Sequence, residues 1–147
     1  PDPDQFTLHD HADGAELLTP GETEVRATGG DVGVPFKAGE VLFTDRAYRL
    51  HSVPKALAGR WFVRSSINGT DGVCEKAGPV YVLTPLPERN SDSVQKELTA
   101  HGFVKAALPE FLAIHLPNGT ANLVTVFQKR VEAGEAVRFG KWGVLVY

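Results

Sequence analysis

The chain has 147 residues, a length that fits one domain. A domain of this size buries roughly two thirds of its unfolded surface and can stand without disulfide or metal. Its formal net charge of −3 argues against general nucleic-acid binding, which needs a basic surface to neutralise phosphates, and no apolar run approaches the ~18 residues of a membrane span.

Fifteen Gly and ten Pro punctuate short runs rich in Val, Phe, Leu and Tyr. That pattern predicts many strands joined by tight turns. Residues 1–13 are polar apart from Phe6 and Leu8 and read as an N-terminal arm or a first edge strand. Residues 15–18 and 24–27 read as short strands, and residues 28–33 as a glycine turn. Strand formers recur at 41–43 and 48–50. Ser52-Val53-Pro54 then breaks the run, because Pro removes a donor and extends its predecessor. Residues 55–58 predict one helical turn ended by Gly59, and residues 61–65 a clear strand. Asn68-Gly69 is a strong turn signal, extended by Asp71-Gly72. Residues 79–84 are nearly continuously apolar and predict a central strand. A proline-bounded loop follows over 85–91.

The convincing helix spans 92–101. Ser91 or Asp92 caps it, Val94 and Leu98 share one face, and Gly102 ends it. Residues 113–116, 123–129 and 137–139 read as strands, with Asn118-Gly119 as a second hairpin turn. Residues 143–147 form a last apolar strand, expected to pair inside a sheet. About nine strands and one short helix predict an all-β fold, an antiparallel β-sandwich or jelly roll, with residues 1–147 as a single domain. The chain holds no Met, which points to a processed chain or a fragment. Cys74 is the single cysteine. It excludes an internal disulfide and reads as a small, partly buried side chain.

The order of segments carries a resemblance. Asp45-Arg46-Ala47-Tyr48 is followed by Val53-Pro54-Lys55-Ala56-Leu57-Ala58-Gly59, then by Trp61-Phe62-Val63 and Val80-Tyr81-Val82. Phe127-Gln128-Lys129-Arg130-Val131-Glu132-Ala133-Gly134-Glu135 closes the series. Over residues 40–140 this resembles the accessory β-sandwich module fused to secreted bacterial polysaccharide-degrading enzymes. Two features depart from that pattern. Arg89 stands for the basic residue after Val-Tyr-Val while the acidic one is displaced, and residues 95–103 lack the Trp the family often carries there. The resemblance implies a module that tethers or supports an enzyme acting on polysaccharide, located outside the cell or in the periplasm. It implies no catalysis.

No nucleophile elbow, phosphate loop, metal signature or acid pair stands out, and no cofactor is expected. A glycosidase needs two carboxylates at a defined separation, and the spacing of Glu97, His101 and Glu110 defines none. Sugars present axial C–H groups to flat aromatic faces and hydroxyls to polar rims. The candidate ligand-binding residues are therefore Trp142, Trp61, Tyr48, Arg46 and Arg89. Trp142, between glycines, is the strongest candidate for exposure, whereas Tyr81 reads as core. Trp61 alternates with Val63, and Phe62 with Arg64, so both faces of that strand carry an aromatic. The same residues also serve packing. Asp45, Arg46 and Tyr48 lock a strand corner through charge-assisted bonds, and each Trp fills a core. Glu88, Arg89, Asn90 and Asp92 form either a polar pocket or turn and cap chemistry.

His9, His11 and Asp13 would share one side of a strand, the one metal-like cluster, or else belong to a polar arm. Asn68-Gly69-Thr70 and Asn118-Gly119-Thr120 match the glycosylation sequon but read first as hairpin turns. Three functions are expected in order. The first is a non-catalytic module that binds polysaccharide or oligosaccharide beside an adjoining catalytic domain. The second is a structural or protein-interaction domain. The third is a small metal-dependent jelly-roll enzyme using His9, His11, His51 or His115.

Overall fold

Alternation of side chains along the strands sets the layers. The computed structural model describes residues 14–87 and 94–147. Eleven strands occur among them. The first six are β1 (Glu24–Ala27), β2 (Asp31–Pro35), β3 (Arg49–Leu50), β4 (Trp61–Arg64), β5 (Thr70–Lys76) and β6 (Gly78–Pro85). Then come helix α1 (Gln95–Ala100), β7 (Val104–Lys105), β8 (Phe111–His115), β9 (Ala121–Val131), β10 (Ala136–Phe139) and β11 (Val144–Val146).

The large sheet runs β2-β4-β11-β6-β9-β8-β3, with β7 also paired to β9. The small sheet runs β1-β5-β10. Every pairing between these strands is antiparallel. The fold is an all-β antiparallel sandwich with one short helix, as the turn-punctuated sequence predicts.

Strand β6 is buried at all its positions, because both faces of the large sheet are covered. Tyr81 and Leu83 point into one core cluster, Val80 and Val82 into the other. The same alternation divides β11, with Val144 and Val146 on one side and Leu145 and Tyr147 on the other. It also resolves β4, where Phe62 enters the first cluster and Val63 the second. The small sheet and α1 roof the second cluster through Val25, Cys74, Val137 and Leu98. Loop residues Phe36, Leu42, Phe43 and Leu57 fill the first.

The helix ends as its sequence dictates. Gly102 takes φ 92°; its N–H bonds Thr99 O at 3.1 Å, and Phe103 N–H bonds Leu98 O at 2.9 Å. Those two bonds and the Leu98–Phe103 packing make a Schellman stop. Its start differs from expectation. The helix begins at Gln95 behind Val94, which makes no side-chain cap; Ser91 and Asp92 lie outside the described residues.

Other elements depart too. Residues 15–18 are not a strand; Ala15 makes a single bridge to Ala106. Val41 and Phe43 likewise make only isolated bridges, to Arg49 and Ser65. The turn at 28–33 is shorter, since Asp31 to Gly33 already belong to β2. Asp71 and Gly72 do not extend a turn but run inside β5. Its polar pattern hides β5, because one face of the small sheet meets solvent. The helical turn before Gly59 is a 3-10 turn over Lys55–Leu57. Cys74 is fully rather than partly buried.

Candidate functional site

The loop between β2 and β3 folds back on itself through Leu42 N–H to Tyr48 O at 2.9 Å. Thr44 N–H to Ser65 O, 2.8 Å, anchors its tip. Asp45 then faces the start of the β4–β5 turn, and its Oδ1 accepts Ile67 N–H at 2.9 Å. Arg46 Nη1 donates to Asp45 O at 2.9 Å and lies 3.6 Å from Asp45 Oδ2, both side chains being well exposed. The Asp-Arg-x-Tyr segment thus pins a loop corner and leaves a guanidinium at the surface.

Tyr48 and Trp142 meet there. Their rings stack with centroids 5.3 Å apart and planes 30° apart. Phe43 meets both edge-on, at 6.1 Å and 6.5 Å. Trp142 has φ 62°, a conformation in which a bulky residue is strained. Its N–H bond to Ile67 O (2.8 Å) and the Gly143 N–H bond to Gly140 O (3.0 Å) hold it there. Trp142 is half-buried against the first core cluster. Arg46, Tyr48, Ile67, Asn68, Lys141 and Trp142 line a recess of about 250 Å³. It combines aromatic surface with guanidinium, amide and ammonium donors, a composition that suits a hydroxyl-rich ligand.

Three of the expected binding residues, Arg46, Tyr48 and Trp142, therefore converge. Trp61 does not join them. It is the more open tryptophan, 45% exposed, on a different recess of about 550 Å³ shared with Arg60, Lys76, Glu22, Glu24 and Tyr147. Trp61 and Tyr147 exchange two backbone bonds, of 3.0 and 2.9 Å, so their side chains emerge on one face. The Tyr147 hydroxyl accepts Gly33 N–H at 2.6 Å, and burial pushes its phenol above the usual range. Lys76 Nζ bonds Glu22 Oε1 at 2.7 Å, which lowers the Glu22 carboxyl and raises the Lys76 ammonium. Arg89 lies outside the described residues, as do Glu88, Asn90, His9, His11 and Asp13. Tyr147, an aromatic the sequence offers for stacking, comes beside Trp61 through their backbone pairing; Arg60, the chain neighbour of Trp61, carried no signal in the sequence.

Glu97 and His101 line a third recess, of about 470 Å³. Its Asp71 is already paired with Arg138 Nε at 3.3 Å. His51 and His115 stand edge to face, 5.6 Å apart, at the β3–β8 edge. Among the described residues no three His, Cys, Asp or Glu side chains are grouped to hold a metal ion. No described helix is long and apolar enough to cross a membrane.

No family model and no curated protein matches the chain. Among the solved structures that share its fold are two glycoside hydrolases. One is a GH138 enzyme targeting pectin rhamnogalacturonan II, with TM-score 0.58 and 14% identity over 88% of this chain. The other is a β-glucuronidase from glycoside hydrolase family 2, with TM-score 0.53 and 15% identity, again over 88% of this chain. The chain spans 16% and 14% of those two proteins. Its β-fold therefore recurs as a small portion of glycoside hydrolase chains.

Proposed function

We propose that the chain is a non-catalytic accessory module of a secreted bacterial polysaccharide-processing protein. It contacts saccharide at the Arg46–Tyr48–Trp142 recess and sits beside a catalytic domain. The observation that carries this reading is Trp142 held at φ 62° beside an exposed Arg46. Strain kept at a surface aromatic is a feature of ligand sites. The recurrence of the fold in glycoside hydrolase chains supports the context.

A second reading has its own support. Tyr48 and Trp142 also pack on the first core cluster, so the same stack serves a structural or protein-interaction domain that only pins a loop corner.

Affinity electrophoresis against a broad panel of polysaccharides separates the two. Retardation by one polysaccharide, lost in folded Trp142→Ala and weakened in Arg46→Ala, supports the saccharide-contacting module. Absence of retardation across the panel favours the structural domain.

A further inference from the structure

The second recess has a chemistry of its own. Trp61, on the strand next to the sheet edge, is 45% exposed. The backbone pairing with Tyr147, which is only 6% exposed, sets the face on which Trp61 emerges, and its open indole forms a platform there. Such a platform suits the C–H face of a pyranose ring.

Charged groups of both signs line the recess. Lys76 is engaged by Glu22 and lies within reach of the Glu24 field. Glu24 also acts on the Tyr147 phenol. Glu22 and Glu24 offer carboxylate acceptors for hydroxyl groups. Arg60 also lines the recess and is partly buried. Its Nη2 donates to Gly21 O, and its buried Nε has no hydrogen-bond partner. Among the described residues Arg60 makes no ion pair. A guanidinium in a partly desolvated recess attracts a carboxylate more strongly than one in open water, and with Nε buried its two Nη groups are the edge that matches a carboxylate's two oxygens.

We propose that this recess is a second saccharide site, selective for a carboxylate-bearing sugar, a uronic-acid residue. The ring lies on Trp61, the carboxylate turns to Arg60, and ring hydroxyls reach Glu24. A space of about 550 Å³ accommodates one or two sugar rings. The site rests on the reading of the chain as a saccharide-contacting module, but it shares no residue with the Arg46–Tyr48–Trp142 recess.

The test is NMR titration of the whole chain with tri-galacturonate and, separately, with uncharged cellotriose. The Trp61 indole N–H is assigned through Trp61→Phe. The expected result is a shift of the Trp61 resonance by tri-galacturonate, with at least fivefold weaker binding of cellotriose. Affinity for tri-galacturonate then falls at least tenfold in Trp61→Ala and in Arg60→Gln. Trp61→Ala changes an exposed side chain, so it reports even where Arg60→Gln fails to fold. Equal affinity for both trisaccharides, or tri-galacturonate binding unaffected by Trp61→Ala, overturns the proposal. Retardation lost in Trp142→Ala with a silent Trp61 resonance also overturns it, and leaves the first recess standing. Binding at Trp61 with no effect of Trp142→Ala removes the first recess and keeps this one.

Discussion

Tyr81 and Gln128 face each other across β6 and β9 and together grip one segment. The Tyr81 hydroxyl donates to Leu18 O at 2.6 Å. Gln128 Oε1 accepts Leu18 N–H at 2.7 Å, and its Nε2 donates to Glu16 O at 2.8 Å. Residues 16–18 have no strand of their own. Two core side chains supply the partners a sheet would have provided, which answers the need of every buried backbone group for a bond.

Gln128→Leu leaves Leu18 N–H and Glu16 O without those partners. The expected loss is about 1–3 kcal/mol in urea denaturation. Combined with Tyr81→Phe the losses are non-additive, because both side chains act on one segment. Strict additivity would show that the two grips are independent.

Burial pushes the Tyr81 phenol from 10 up to about 12. The folded state therefore holds this proton after the unfolded chain has released it, and stability falls as pH rises from 10 towards 12. The loss over that window is about 2 kcal/mol. Tyr81→Phe flattens the alkaline limb of a stability–pH curve, although it lowers stability at neutral pH.

At the acid side Glu135 acts. Its bond from Lys129 Nζ, 2.7 Å, and its bond from Glu132 N–H, 3.0 Å, hold the carboxyl below its ordinary value of 4.5. A depressed carboxyl stabilises the fold above its unfolded pKa, and that contribution disappears as pH falls through the lower folded value. Glu135→Gln costs about 0.5–1 kcal/mol at neutral pH, the scale of a partly exposed pair. It also makes the melting temperature less sensitive to acid below pH 4.5.

Trp142→Ala and Trp142→Gly separate packing from strain. Both lose the stack on Tyr48, worth about 2 kcal/mol for a half-buried aromatic. Only Gly tolerates φ 62° freely, so Trp142→Gly is about 1 kcal/mol more stable than Trp142→Ala. Equal stabilities in chemical denaturation would show that the backbone relaxes when the ring is removed.

Gly69 is required by position. Its φ is 85°, and a Cβ there would overlap the Phe139 carbonyl oxygen. Gly69→Ala should cost more than 2 kcal/mol, about the sum of a left-handed conformation and a backbone displacement. Gly119, at φ 92° with open space around it, should lose only about 1 kcal/mol on the same change. Comparing the two variants by thermal melting isolates the clash.

Much of the fold was legible in the chain. Asn118-Gly119 marks a real hairpin, between β8 and β9, and Asn68-Gly69 marks a real turn, but one that carries the chain from β4 in the large sheet to β5 in the small one rather than closing a hairpin. At both the glycine takes a positive φ that costs it little. The apolar run around Val80-Tyr81-Val82 marks the central strand because both its faces are dry. Gly102 marks the helix end for a similar reason. Strand β5 was not legible, since a strand whose sheet has one face in solvent carries polar residues that also read as turn formers. Of the candidate site, Arg46 and Tyr48 were near neighbours in the sequence. Their meeting with Trp142 was not foreseeable, nor was the separation of Trp61 to another recess.

Local sequence thus determined the turns, the central strand, the helix stop and the aromatic inventory, because backbone dihedrals and side-chain alternation are short-range properties. The tertiary structure alone decided which aromatics are open. Trp61 is exposed because β4 pairs β11 beside the edge strand β2. Trp142 is half-covered because the 41–49 loop folds over it and places Tyr48 on its ring. Exposure depends on what packs above a residue, and those partners come from distant parts of the chain.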